Sequence, residues 1–491
     1  MAGEMKIRGR REILINRREG ARQWLLLGAF LSFFGLLAYF APIGIYPDSG
    51  SYISSQAGRE PLYPLFLMFF RFIFHEGDTI TWLAASGQLE SEKAMELIYT
   101  WPALRVSILV QGLLTGFSCF FLTRAVKRSF DPDWLLTALV GLCTLIPHVL
   151  TPLASSSRMV LSNAVLTEGI TFPLFYIFTA FMILGLFEEK KKRGFYCAAF
   201  VFALLLVLTR NHMLVAFAVW CAVILFEIVR SRKWTRTVFL VLAVIVFLGA
   251  RSAANRIYNS VLHEGYAGSD TGSYNMLTTM LYLSGPDDVS LITDGELRAL
   301  FTKMHAQMEK SGMTRADAPD GILSRAYHYE DCYDVIGFEI QQPCLFEYAA
   351  EKGIPEGEAL NEVIRVAGEM NRELFPHLAG AYCYHYLATA ASGLTRSVSA
   401  SGTVMGIYSV VVYFLAAALM IYLYQKNKRS KAALLMLFAL LMICANVFAT
   451  ALVIMCLSRY MIYNTALFYI AGLMCLAECD QIRKRDRSNG L

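Results

Sequence analysis

Long apolar runs separated by short basic clusters leave this chain few folds to choose from. Runs near 24–45, 102–122, 134–152, 165–187, 194–209, 213–229, 237–251, 402–424, 432–456 and 461–477 each approach the ~20 residues a helix needs to cross a bilayer. A soluble core cannot hide so much apolar surface, since 56% of the 491 residues are hydrophobic and only 17% charged, with mean hydropathy +0.46. The pattern predicts an all-α polytopic membrane protein of about ten transmembrane helices.

Charge then assigns the sides. The clusters are Arg8/Arg10/Arg11/Arg17/Arg18, Lys127/Arg128, Lys190/Lys191/Lys192/Arg193, Arg230/Arg232/Lys233/Arg236, Lys426/Lys428/Arg429/Lys431 and Arg483/Lys484/Arg485/Arg487. With ten spans all of them fall on one face, which the positive-inside rule makes cytoplasmic, together with both termini. This expectation places the chain in the plasma (inner) membrane. If the aromatic run Leu62–Phe74 also crossed, every later cluster would change sides. That run is therefore predicted to lie in the interface or to re-enter. Trp24, Trp101, Trp134 and Trp234 fall at predicted span ends, where an indole prefers to sit. The net charge of +5 comes from these clusters and is not a nucleic-acid signal. The first apolar run is too long for a signal-peptide core, so no cleaved leader is expected.

Three parts follow. Residues 1–251 form a seven-span module whose first outer loop is 46–101. Residues 252–401 form a mixed extracytoplasmic domain, with helical patterns near 293–310 and 356–375. Residues 402–491 hold three spans and a basic cytoplasmic tail. No internal repeat is visible, which gives an inverted-repeat transporter no support. Eight of the eleven Cys lie in or beside spans and read as small apolar residues. Cys332, Cys344 and Cys383 lie outside them, and a Cys332–Cys344 disulfide is left open.

The polar residues at outer span ends carry the functional signal. Asp48 follows span one in Y-P-D-S-G-S-Y, and Arg59 and Glu60 follow in G-R-E-P-L-Y-P. Arg158 lies after span three, Glu168 opens span four, Arg210 and His212 join spans five and six, and Arg459 and Tyr460 precede span ten. A charge within a span costs about 2.5–3.5 kcal/mol on insertion scales, so several at one level are most cheaply explained by a shared polar site. Asp48 and Glu168 with Arg158, Arg210 and Arg459, two acids and three arginines, suit an anionic lipid headgroup and acid–base chemistry. Each residue also has a plainer reading. Asp48 could cap the next helix, Glu168 could pair with an arginine, and Arg71, set among phenylalanines, could snorkel. Asp131-Pro-Asp133 reads as a turn and helix start on the cytoplasmic side, and Asp287-Asp288 after Gly285-Pro286 as a turn. No Walker A, H-E-x-x-H or G-x-S-x-G sequence occurs, which argues against an ATPase, a zinc protease and a common serine hydrolase.

P-D-S-G-S-Y after the first span, followed by G-R-E-P-L-Y-P-L-F, resembles the first outer loop of bacterial GT-C glycosyltransferases, membrane enzymes that take a sugar from a polyprenyl-phosphate carrier. The resemblance implies a GT-C-like plan: seven spans with an acidic first loop, a long outer segment, then further spans. Glu168 in L-T-E-G matches the acid of the second outer loop, and Arg459-Tyr460 is similar to an R-Y near the last span. Protein O-mannosyltransferases and aminoarabinose transferases of this class tend to carry an Asp-Glu pair in the first loop. Here Ser49 follows Asp48, which favours a glycan or glycolipid acceptor over a protein.

The implied chemistry is transfer with inversion. Asp48 is the expected general base, with Glu168 beside it in the catalytic set. Arg210, Arg459, Arg59 and His212 are the donor-phosphate candidates, and Tyr52, Glu60, Arg158 and Tyr460 the substrate-binding ones. A divalent metal, Mg or Mn, bridging Asp48, Glu168 and phosphate is the alternative. Arginines suffice for a monophosphate, so no cofactor is required and no metal ligand is assigned. The partners are the donor lipid, the acceptor and the surrounding membrane. Rival readings are a lipid-linked glycan polymerase or ligase using a pyrophosphate donor, a lipid or solute transporter, and a non-enzymatic assembly or sensor protein.

Overall fold

The computed structural model describes residues 2–46, 48–56, 58–74, 102–154, 160–263 and 272–488. Its described residues are helical apart from connections, and the sole β pairing among them is an isolated parallel bridge between Gly44 and Ala164. Ten described helices are long and apolar enough to cross a membrane: Glu19–Phe40, Pro102–Phe130, Trp134–Leu153, Glu168–Phe187, Lys192–Thr209, Asn211–Ser231, Arg236–Leu262, Val404–Lys426, Lys431–Ala451 and Ser458–Ser488. They coincide one for one with the ten predicted runs. The chain is therefore an all-α multi-pass membrane protein. Leu62–Ile73 is a separate apolar helix of 12 residues, too short to span.

Local chemistry explains where the helices stop. The first ends at Phe40 because Pro42 disfavours helical backbone at the residue before it. Asp133 accepts from Leu136 N at 2.8 Å and caps the Trp134–Ala154 helix, which makes Asp131-Pro-Asp133 the turn and helix start expected. Asp288 likewise closes a turn by accepting from Gly285 N at 2.7 Å. Trp134 has the Arg22 guanidinium over its ring at 5.4 Å, and Trp24 and Trp234 are exposed; Trp101 lies outside the described residues. The seventh helix is longer than predicted. Hydropathy fades after 251, but S-A-A-N-R-I-Y-N-S holds no helix breaker, and the helix runs on to Leu262 with Asn255, Tyr258 and Asn259 buried.

The chain divides into two compact units: residues 1–55, 62–148 and 159–205 form the first, and 56–61, 149–158 and 206–491 the second. The last break between the units, at Leu205/Leu206, falls in the final turn of span five.

In the first unit the Glu19–Phe40 and Pro102–Phe130 spans pack at two small residues one turn apart, Gly112 and Gly116. A Cβ at Gly116 would stand 2.8 Å from the Phe30 carbonyl oxygen, and one at Gly112 would stand 3.0 Å from that of Phe34. Small residues let helix backbones approach this closely in lipid, where dispersion rather than water drives packing. Gly116→Val is therefore expected to cost about 1–3 kcal/mol, the range for overpacking a filled interface. Thermal unfolding in detergent checks this, with Gly249→Val, whose Cβ meets nothing within 4 Å, as the neutral control.

In the second unit the described residues between 272 and 401 form helices and their connections, with no strand among them, where the sequence predicts a mixed domain. Their core joins Leu277, Met280 and Leu281 to Phe301, Met304 and Met308, to Tyr329, Tyr333 and Ile336, and to Val363, Met370 and Leu374. The Gly295–Ser311 helix buries Leu297, Leu300, Phe301, Met304 and Met308 at helical spacing. Asp294 caps it by accepting from Glu296 N and Leu297 N, and Gly312 ends it at φ +65°. The pattern near 356–375 belongs to a much longer helix, Glu356–Val398, whose C-terminal half bonds to the end of the Lys431–Ala451 helix and to the start of the last one. Tyr382 donates to the Leu452 carbonyl, and Thr465 Oγ1 to the Ser397 carbonyl at 2.8 Å. Cys332 and Cys344 are buried and free, so the disulfide left open does not form. Gln307 Nε2 contacts Cys344 Sγ at 3.7 Å, and the His328 ring contacts Cys332 Sγ at 3.7 Å.

Candidate functional site

The polar residues singled out above fall into two groups, one in each unit. The first is built around Asp48 and Glu168. Gly44 N donates to the Asn163 carbonyl at 2.9 Å and Val165 N to the Gly44 carbonyl at 2.8 Å, so the start of the first outer loop is zipped to the strand-like entry to span four. Ser49 is fully buried. Its Oγ accepts from Tyr46 N and donates to the Val165 carbonyl, both at 2.8 Å. Asn163 Nδ2 reaches back to the Leu37 and Ala41 carbonyls at the end of span one. These bonds hold the segment that carries Asp48 against the segment that runs into Glu168.

Asp48 stands at the N-cap position of the short helix Ser49–Ile53, yet its side chain caps no backbone N–H there. The capping role therefore does not account for its carboxylate. Arg71, expected to snorkel or to meet lipid phosphate, donates from Nη1 to the Ile53 carbonyl at 2.7 Å and closes the far end of that same short helix. Glu168 is 1% exposed and opens its span, with Oε2 accepting from Thr167 Oγ1 at 3.2 Å.

Two residues outside the sequence-derived set complete the group. Tyr63 lies edge-on to Tyr52 at 5.4 Å, and its hydroxyl donates to Gln111 Oε1 at 3.0 Å. Burial pushes the Tyr63 phenol well above its usual range, and the neighbouring Tyr52 and Glu168 push it in the same direction. Gln111 Nε2 is shared between the Ser162 and Ala164 carbonyls at 3.3 Å each. A buried amide that satisfies three groups is costly to remove. Gln111→Leu is expected to lower stability by about 1–3 kcal/mol for each polar group left unpaired, read as a fall in detergent Tm, whereas Gln111→Glu should keep the Tyr63 bond.

The second group gathers around Tyr460. The Arg210 guanidinium lies 4.3 Å from the centre of its ring and that of Arg459 5.0 Å away, with Arg459 Nη2 donating to the Tyr460 hydroxyl at 3.0 Å. The His212 ring is 5.7 Å from Tyr460 and 6.2 Å from Tyr463, and its Nε2 is buried with no hydrogen-bond partner among the described residues. Asn446 Nδ2 donates to the Tyr460 carbonyl at 2.8 Å and fixes its backbone. Glu60 belongs here too. Burial raises its carboxyl pKa, opposed by a hydrogen bond from its own backbone, by Arg59 and Arg210, and by the Asn211 backbone. Arg251 Nη2 donates to Asn211 Oδ1 at 2.6 Å. Among the described residues Arg59 and Arg210 act on the Glu60 carboxyl, and Arg210 and Arg459 lie on Tyr460, a gathering of guanidiniums suited to an anion.

No protein-family model, curated protein or solved structure matches this chain.

The structure brings Asp48, Tyr52 and Glu168 into one group, and Arg59, Glu60, Arg210, His212, Arg459 and Tyr460 into the other. Arg158 lies outside the described residues. Among those described, no three His, Cys, Asp or Glu side chains converge as metal ligands do. Sequence reasoning missed Gln111, Tyr63, Asn211 and Arg251. Two carried a readable signal: Gln111 is an amide in the middle of an apolar run, and Arg251 sits at an outer span end. Tyr63 and Asn211 carried none, because an interfacial tyrosine and a loop asparagine are ordinary residues until their partners are known.

Proposed function

We propose that this chain is an inverting, GT-C-like membrane glycosyltransferase. In this reading it moves a sugar from a polyprenyl-phosphate carrier to a glycan or lipid-linked acceptor on the extracytoplasmic face of the plasma membrane. The observation that carries the reading is the hydrogen-bonded seam that ties the Asp48 segment to the entry of span four, beside a buried Glu168. A carboxylate held this way, with no capping duty, suits a base that must meet a hydroxyl in a fixed geometry.

The steps need no group beyond side chains. Asp48 takes the acceptor hydroxyl proton as that oxygen bonds to the anomeric carbon. The bond from the anomeric carbon to the phosphate oxygen breaks, and its electron pair leaves on the lipid phosphate. The transition state is oxocarbenium-like, as in glycosidases. Arg210 and Arg459, held by Tyr460, are assigned to the phosphate charge, with Arg59 as a further cation and His212 as a donor. Glu168 orients the base segment or a sugar hydroxyl. Tyr52, Glu60 and Arg158 are assigned to substrate.

The test is turnover of a panel of synthetic polyprenyl-phosphate sugars by purified wild type, followed as release of polyprenyl phosphate. Turnover of one donor supports the reading and names the sugar. Absence of both turnover and binding across the panel overturns it. A second reading is a glycan polymerase or ligase with a pyrophosphate-linked donor, which would lean on arginines such as Arg210 and Arg459 at Tyr460. Including pyrophosphate donors in the panel separates the two.

A further inference from the structure

Arg396 lies at the end of the Glu356–Val398 helix and is 4% exposed. A buried guanidinium needs partners, and this one finds them through Nη1 and Nε. Nη1 forms an ion pair with Glu330 Oε2 at 2.6 Å and also donates to the Cys456 carbonyl at 2.8 Å. Nε donates to Ser401 Oγ at 2.8 Å, and the guanidinium lies 5.0 Å from the centre of the Tyr327 ring. The four partners come from three pieces of the second unit. Glu330 and Tyr327 are on the outer-domain helix Ile322–Asp334, Ser401 is in the turn before span eight, and Cys456 is in the link between spans nine and ten.

The Cys456 link matters because it leads into the anion group. Arg459 and Tyr460 follow within the next turn, on the short helix Ser458–Met461. The link is also restrained by the Tyr382 bond to the Leu452 carbonyl, by Met455, which is buried in the core with Ile454 and Leu457 packed against it, by a 3.4 Å contact between Ser401 Oγ and Ser458 Oγ, and by Cys456, whose Sγ contacts the Val447 carbonyl at 3.8 Å and would meet a Cβ at Gly393 within 2.9 Å. Only the Arg396 bond satisfies the Cys456 carbonyl among the described residues. Without the Arg396 bond, the Cys456 carbonyl would be a buried acceptor left unpaired.

We propose that Arg396 is a positioning residue for the Arg459–Tyr460 pair: with Glu330 it locks the link to the outer domain and so sets the affinity of the anion group for a lipid phosphate. The proposal rests on the reading of that group as the donor-phosphate site. It also makes the Ile322–Asp334 helix a lever on that site, since a partner or acceptor that shifts this helix would pull on the link through the Glu330–Arg396–Cys456 chain as well as through the packing of Met455.

The test uses full-length protein in detergent and a synthetic polyprenyl monophosphate as the probe, with wild type, Arg396→Gln, Arg396→Lys, Glu330→Gln and Arg459→Gln. Arg396 does not belong to the anion group, yet Arg396→Gln is expected to weaken probe binding by roughly tenfold or more, the scale on which misplaced groups lose function. In turnover it should raise the donor KM and leave kcat within about twofold, as loss of uniform binding does. Arg396→Lys should recover part of the affinity and Glu330→Gln should lose part. Native alkylation by N-ethylmaleimide, read by peptide mass spectrometry, gives a second readout independent of the ligand. Cys456 should react faster in Arg396→Gln, while Cys475, buried in the last span, should not change and so reports an intact fold.

Unchanged Cys456 reactivity together with wild-type affinity in folded Arg396→Gln overturns the proposal. If wild type does not bind the probe, the donor-site reading fails and the Cys456 rate alone decides whether Arg396 holds the link.

Discussion

Asp48→Asn protein is expected to fold as wild type and to transfer sugar about 10²–10⁴-fold more slowly, the range that a positioned general base supplies. The substitution keeps shape and removes only the ability to take a proton. Because the Asp48 side chain caps no helix N–H, its loss should leave the Ser49–Ile53 helix in place. The turnover of protein that remains folded is what discriminates. A purely structural Asp48 would spare it, whereas a base would lose it. Undiminished transfer by the variant would remove Asp48 from catalysis and move the search to Glu168, which is buried in the same hydrogen-bonded group.

Arg459→Gln should weaken donor binding by about 10- to 150-fold, the equivalent of one charge-assisted hydrogen bond worth about 1.5–3 kcal/mol. Arg210→Gln should do the same, and the double variant should fall short of the sum. Both guanidiniums lie on the ring of Tyr460, so removing one frees that face and relieves its repulsion on the other. Isothermal titration with a soluble short-chain polyprenyl phosphate in detergent, at two salt concentrations, measures all three. A flat response to both substitutions would mean that the arginines only anchor spans five and nine at the membrane surface, as snorkelling cations do.

The architecture was written in the sequence because the bilayer imposes it. Each span must be about twenty apolar residues long and must satisfy its own backbone, so ten runs meant ten helices. Constraints weaken outside the membrane, and the errors fall there. The seventh helix runs on past 251 because helix formation outlasts hydropathy. The pattern near 356–375 is one part of a helix that reaches Val398, since its later apolar face meets other helices rather than lipid. The Gly112–Gly116 contact was a legible small-residue spacing whose partner helix nothing in the sequence could name.

At the site the sequence alone determined which residue types stand at outer span ends: acids after span one and at span four, arginines before spans six and ten. Only the tertiary structure decided their company. It joined Asp48 to the Glu168 entry through Ser49 and Asn163, set two arginines on Tyr460, recruited Gln111 and Tyr63, and routed Arg396 to the link before Arg459. The reason is physical. The cost of a charge near lipid depends on its own depth and can be read from position, whereas the hydrogen bond that offsets it comes from residues up to more than a hundred positions away.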